Sequence, residues 1–486
     1  MAFASSAHGR ARWATADEIS AAGVLQEKPW RILFARAPKL GRMLGYSGDG
    51  NVMVTAQPGS GKGVGFVIPN LLTYPGSCLC IDPKGENAGL TAQRRREMGQ
   101  DVHVIDPAGV SGQPRACFNP LAWLLDSPLD RLDADVRLIA EALVEHSGGS
   151  DTFWTMGGRD LVASLIYYLC AHEPDRLDLV RLFELSRLPE GEWRDLWSAM
   201  AGSGAKDERL RRRVRDAGNW FQGLEERHQL YHRGTVQAAT AWLVSEAARE
   251  SVASSSFDLR RLKDQKRPMT IYLCFGPLDE AAYKTYIRLL VGQALLSVFL
   301  SLADRQDVPV LFLLDEFANT VGRLDVLDRA YSQIRGYGGR LALILQDIDQ
   351  LQSLYPEGRG VLSWRTIEGG CGAAIYFNAR THTAEHVSRR TRVTTASEAS
   401  GAVGLHQMAA PLAFPEEVEF PKEYGPETLF CFVEGVRPFK AKRLTSWRDQ
   451  EFAALHDPSA APSSRREEGS ERIVRASMSA MKEGRS

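Results

Sequence analysis

The sequence predicts an α/β protein whose central sheet is mostly parallel and is interrupted by an all-helical insertion. Three features carry that prediction. Apolar runs of strand length recur along the chain, and they are continuous rather than alternating, as in a sheet covered on both faces. A helical stretch separates the early runs, the order that parallel strands require. From about residue 131 to 265 the strand signal gives way to helical periodicity, after which strands return.

Taken in order, residues 1–48 are mixed and read as irregular, and "NVMVTA" (51–56) is apolar enough for a buried strand. "GSCLCIDPKG" (76–85) and "DVHVIDP" (101–107) are strands that both end in Asp-Pro, with a short helix over "AGLTAQRRREMGQ" between them. Cys78 and Cys80, two apart in the first of these, are read as facing opposite sides of the strand. In the insertion, Leu132, Val136, Ile139 and Leu143 share one helical face, and Leu161, Leu165, Ile166 and Leu169 share another. Strands resume with "MTIYLCFG" (269–276), "VPVLFLLDEF" (308–317), "RLALILQD" (340–347), "GAAIYFNA" (372–379) and "TLFCFVEG" (428–435). Residues 451–486 have the composition of a disordered tail.

A chain of 486 residues is expected to form two to three domains. Its net charge of −1 gives no overall attraction to nucleic acid, so any basic surface must be local. The seven cysteines contain no C-x-x-C pair, which argues against a disulfide framework or a zinc site. No run of about 18 apolar residues occurs and the N-terminus is too polar for a signal peptide. The expectation is a cytoplasmic chain with membrane contact only through partners.

The chemistry starts in the loop after the first strand: Ala56, Gln57, Pro58, Gly59, Ser60, Gly61, Lys62, Gly63 and Val64. It approximates the phosphate-binding pattern G-x-x-x-x-G-K-[ST]. Glycines let backbone N–H groups converge on phosphate oxygens, the lysine adds a point charge, and the next helix offers its positive end. Two positions depart: Ala56 replaces the first glycine, and Gly63 replaces the hydroxyl residue that would reach Mg²⁺. A plain glycine-rich turn is the competing reading. "VLFLLDEF" weakens it, because a parallel strand delivers Asp315 and Glu316 to the sheet edge where the loop opens. There Asp315 would hold Mg²⁺ through water and Glu316 would polarise the attacking water. Gln346, ending the next strand, is a candidate to sense the γ-phosphate; a simple polar strand end explains it equally well.

At this point the sequence resembles the type IV secretion coupling proteins, the TraG-type ATPases of conjugative DNA transfer. The matching pieces, in family order, are "HGRARWA" (8–14), "GSGKGVGFVIPNLL" (59–72), "IDPKGENAGLTAQRRREMG" (81–99), "VIDP" and "FNPL" (104–107, 118–121), "LLDEFAN" (313–319), "ILQDIDQLQSLY" (344–355) and "NARTHTAEHVS" (378–388). Gly63 after the lysine also occurs in that family. The resemblance implies a RecA-like P-loop NTPase domain (1–130 with 266–450) carrying an inserted all-helical substrate-recognition domain (131–265). It further implies ATP and Mg²⁺ as cofactors, a hexameric ring, and partners comprising single-stranded DNA with its relaxase, effector proteins and secretion-channel components at the inner-membrane face. Members usually carry transmembrane helices ahead of the nucleotide domain; here 61 residues precede Lys62 and none of them span.

Secondary signals are weighed against plainer readings. "ERLRRRVRD" (208–216) is either a strip for DNA phosphates or a solvated helix face balanced by Asp207, Glu208 and Asp216, and the latter is favoured. Arg380, Arg389 and Arg390 are candidates for an arginine finger, with surface arginine the default. Asp82, Lys84 and Glu86 either line the pocket, meet a neighbouring subunit or form a turn around Pro83. The histidines lack metal-ligand spacing, and Trp13 and Trp154 read as packing residues. Two other functions remain open at this level: a DNA-pumping ring ATPase outside secretion, and a nucleotide-binding adaptor that scarcely hydrolyses.

Overall fold

A computed structural model describes residues 10–24, 28–145, 152–276, 280–300, 307–358, 362–399 and 405–456. His8 and residues 457–486, which make up most of the expected tail, lie outside the described residues.

The first strands are β1 (Ile32–Ala37), β2 (Arg42–Tyr46), β3 (Asn51–Ala56), β4 (Cys78–Ile81) and β5 (Asp101–Ile105). The second group is β6 (Met269–Leu273), β7 (Val310–Leu314), β8 (Gly339–Leu345) and β9 (Cys371–Phe377). A separate hairpin, β10 (Val393–Ala399) and β11 (Leu405–Pro411), precedes β12 (Thr428–Val433) and β13 (Phe439–Lys442). Eleven strands form one sheet in the order β2-β1-β13-β12-β9-β3-β8-β7-β4-β6-β5. Neighbours from β9 to β5 are parallel, whereas β12, β13, β1 and β2 continue the sheet antiparallel. The fold is α/β with a mostly parallel sheet.

β3 is buried along its whole length because neighbouring residues enter different cores: Met53 joins one, Val52 and Val54 the other. In β7, Val310, Phe312 and Leu314 face the first core and Leu311 and Leu313 the second. Both faces are apolar, so the strand reads as an unbroken hydrophobic run. Cys78 and Cys80 do not face opposite sides: residues two apart share a face, and both lie in one core.

The described residues between 10 and 48 are not all irregular. They hold the helix Ala16–Ala21, closed by a Thr15–Glu18 capping box, and the strands β1 and β2. Between β5 and β6 the described elements are helices, from Leu129–Leu143 to Glu246–Val252. The leucines, isoleucines and valine assigned above to two helical faces there are all buried. Trp197 stacks on Phe221 at 4.0 Å and meets Trp193 edge-on, which closes the centre of this helical region.

Candidate functional site

Parallel strands end on one sheet edge. β8 lies between β3 and β7, so the turns that follow these strands meet there.

After β3 the chain turns through Gly59 (φ 72°) and Gly61 (φ 84°), a left-handed conformation that disfavours side chains. A π-type turn, Gly63–Val67, then leads into the helix Ile68–Thr73. Lys62 caps this segment with its own helical backbone, so free N–H groups point out beside its side chain. Gln57, Pro58, Gly59, Ser60, Gly61, Lys62, Gly63 and Val64 thus form one continuous loop and first turn.

Lys62 Nζ lies 3.0 Å from Asp315 Oδ1 and also contacts the Glu316 carboxylate. Gln346 Nε2 donates to Glu316 Oε2 at 2.6 Å. Glu316 holds a left-handed backbone (φ 53°), a costly conformation for a residue with a side chain, and one that concentrates at functional sites. Burial works against the charge on Lys62, but Asp315 and Glu316 outweigh it and raise the ammonium pKa. For Asp315 burial wins, pushing its carboxyl pKa up despite Lys62. The Asp315–Lys62–Glu316–Gln346 cluster is therefore a charged, half-dry site at the mouth of a glycine loop. Such a site can accept a polyphosphate and orient a water.

Asp82 and Asp106, at the ends of β4 and β5, do different work. Asp82 accepts from the Ala88 N–H at 2.8 Å, and Asp106 accepts from Val110 and Ser111 N–H at 3.0 and 2.8 Å. Both carboxylates fold the turns after their strands, while Lys84 and Glu86 are exposed. Burial, helped by Asp315, pushes the Asp82 carboxyl up from 3.8 to about 7. The folded state then binds this proton more tightly than the unfolded chain does. Stability is fully present below the unfolded pKa and is lost as pH rises from about 4 to about 7. Asp82→Asn keeps an acceptor for Ala88 and cannot ionise, so it should flatten the dependence of Tm on pH across that window. Parallel wild-type and variant curves would contradict this.

The arginine candidates separate. Arg390 donates to Glu368 Oε1 at 2.8 Å and lies 4.3 Å above the Phe432 ring, so it is an internal strut and does not reach outward. Arg389 pairs with Glu385 at 3.7 Å on an exposed helix face. Arg380 is exposed on the loop after β9, between Asn378 (φ 48°) and Thr381 (φ 47°). In the insertion, Arg211 and Arg215 bind the carbonyls of Ala205 and Ser203, while Arg212 and Arg213 pair with Glu208 and Asp133. Partners within the chain thus occupy most of that strip. Trp13 and Trp154 pack against Phe430 and Tyr231, at ring separations of 6.2 and 4.2 Å.

One residue at the loop carried no sequence signal. The Arg443 guanidinium, 383 positions away, donates to the Ser60 carbonyl.

Comparisons with known proteins show the family to which the chain belongs. Residues 12–465 match the family model described as type IV secretory system conjugative DNA transfer. Protein VirD4 of Rhizobium radiobacter is 28% identical over 471 residues, covering 93% of this chain and 65% of that protein. The conjugal transfer protein TraG of Escherichia coli is 28% identical over 422 residues, covering 80% of this chain and 64% of that protein. The chain thus spans just under two thirds of these relatives. The plasmid coupling protein TrwB in complex with the non-hydrolysable ATP analogue ADPNP superposes with a TM-score of 0.66 at 16% identity, covering 91% of this chain and 96% of that one. TrwB in complex with ADP and Mg²⁺ gives 0.65 at 15% identity, covering 90% and 94%. Among the described residues no helix is long and apolar enough to cross a membrane. With a family match running from residue 12 to 465, the chain belongs to the type IV secretory system conjugative DNA transfer family.

Proposed function

We propose that this chain binds ATP with Mg²⁺ and hydrolyses it to deliver substrate, relaxase-bound single-stranded DNA or an effector protein, to a type IV secretion channel. The observation that carries the reading is the meeting of Lys62, Asp315, Glu316 and Gln346 at the glycine loop. The relatives' names and the nucleotides bound by TrwB support it.

Lys62 exchanges its carboxylate partners for β- and γ-phosphate oxygens. That exchange frees Glu316 to take a proton from water, with Gln346 holding the Glu316 carboxylate in position. Mg²⁺ suits the donor set: Asp315 lies at the mouth of the glycine loop, and this ion keeps waters and phosphate oxygens around one or two carboxylates. Asp315 would hold it, and when bound it supplies positive charge to the β- and γ-oxygens. Gly63 offers no hydroxyl, whereas the buried Ser60 Oγ lacks a partner among the described residues.

In this reading residues 1–130 and 266–450 form the nucleotide domain and 131–265 the substrate-recognition domain. Rings assemble with Arg380, an exposed candidate on the loop after β9, reaching a neighbour's phosphates. The chain works at the cytosolic face of the inner membrane. The test is ATP turnover with and without single-stranded DNA, together with capture of relaxase or channel components. DNA-stimulated turnover and relaxase capture are expected. Turnover indifferent to DNA, with neither partner bound, would contradict the proposal.

A further inference from the structure

We infer that Arg443 is a second nucleotide-contacting cation, which pairs with the α-phosphate side of the triphosphate while Lys62 serves the β- and γ-phosphates. The inference rests on the ATP reading above and concerns the same site.

The geometry is specific. β13 ends at Lys442, and the chain then lies across the loop and the first helical turn: the Ser446 N–H donates to the Val64 carbonyl at 3.1 Å, and the Arg443 N–H to the Glu427 carbonyl at 2.8 Å. Two glycines make room for the arginine. A Cβ at Gly65 would lie 2.7 Å from Arg443 Cγ, and one at Gly61 would collide with the guanidinium itself. Gly65 falls outside the phosphate-loop pattern, so a loop requirement does not account for it; the Arg443 side chain does.

The guanidinium is incompletely paired. It donates to the Ser60 carbonyl, and among the described residues its buried Nε has no partner and no carboxylate pairs with it. Burial lowers its pKa, with Glu427 compensating only in part. Arg443 is half-buried, and a cation held partly out of water without a counter-charge is costly. Beside a loop whose N–H groups point outward, the natural counter-charge is a phosphate. Sheet order gives the side: Lys62 leans toward the carboxylates after β7, whereas Arg443 arrives from β13, on the other flank of β3. The two cations would thus bracket the polyphosphate, with Arg443 at the end remote from Glu316.

The experiment uses the full chain and its Arg443→Met and Arg443→Lys variants, with mant-ADP binding, ATP kinetics and Tm without nucleotide. Arg443→Met is expected to weaken mant-ADP by about tenfold, the scale of one charge-assisted hydrogen bond, with Arg443→Lys recovering part of it. The kinetic loss should fall on KM more than on kcat. Without nucleotide the Met variant should melt no lower than wild type, because a half-buried charge without a counter-charge has been removed. A folded Met variant that binds mant-ADP within about twofold of wild type, whether or not its Tm falls, would overturn the inference and make Arg443 a brace for the loop. A wild-type protein blind to mant-ADP would instead sink the ATP reading and this inference with it.

Discussion

Glu316→Gln should lower ATP turnover by at least about 100-fold, the usual scale for removing a general base, while ADP binding stays within about threefold. The substitution preserves size and one acceptor oxygen but removes the proton acceptor. Glu316 is suited to that role by its unusual placement. Its left-handed backbone aims the carboxylate back toward the loop, where Lys62 holds one oxygen and Gln346 the other. In the proposed mechanism the lysine that contacts this carboxylate is the one phosphate would draw away. A second consequence follows. Losing the carboxylate leaves Lys62 with Asp315 alone, so the variant should hold ADP at least as well as wild type. Equal turnover in variant and wild type would assign the chain an adaptor role. Single-turnover ATP hydrolysis, with ADP affinity measured separately, distinguishes the outcomes.

Arg95→Met should destabilise the protein by about 3 kcal/mol or more, because each orphaned buried acceptor costs about 1–3 kcal/mol. Arg95 is fully buried and bonds five acceptors. Nε donates to Thr270 Oγ1 at 2.8 Å; Nη1 donates to the Leu71 carbonyl at 3.2 Å and to that of Tyr74; Nη2 donates to the Gly76 carbonyl at 2.7 Å and to Cys78 Sγ at 3.2 Å. One guanidinium therefore ties the helix Glu86–Glu97 to β4, β6 and the end of the helix that follows the phosphate loop. Arg95→Lys should recover little, since an ammonium cannot span that planar fork. The denaturation midpoint reads the loss; a shift equivalent to less than about 1 kcal/mol would mean that water replaces these bonds without cost.

What the sequence revealed and what it hid follow one physical division. Strands covered on both faces, such as β3 and β7, are apolar at every position and were readable as runs. β1 and β2 belong to the antiparallel flank, where charged residues interrupt the pattern, as Arg36 does in "ILFARA" and Arg42 does at the start of "RMLGY". β13 is four residues, "FKAK", too short to show a period. The loop, Asp315, Glu316 and Gln346 were legible because each sits at the end of a parallel strand, and topology alone brings such ends together. Arg443 had no such marker: its place on the loop depends on where β13 enters the sheet. Arg95 was hidden among Arg94 and Arg96, which look identical until the helix phase is known. The arginine-rich stretch in the insertion looked basic, yet its charge is largely spent on Glu208, Asp133 and backbone carbonyls.

The account stands on Lys62 and the acidic end of β7 addressing one bound triphosphate. Pulsed electron paramagnetic resonance of the protein loaded with Mn²⁺ and ADPNP measures this directly, in wild type and in Asp315→Asn. The account predicts phosphorus coupling to a tightly held Mn²⁺ in wild type and a clear loss of Mn²⁺ affinity in the variant, with the nucleotide still bound. Mn²⁺ held equally well by both proteins, or showing no phosphorus coupling, would contradict it.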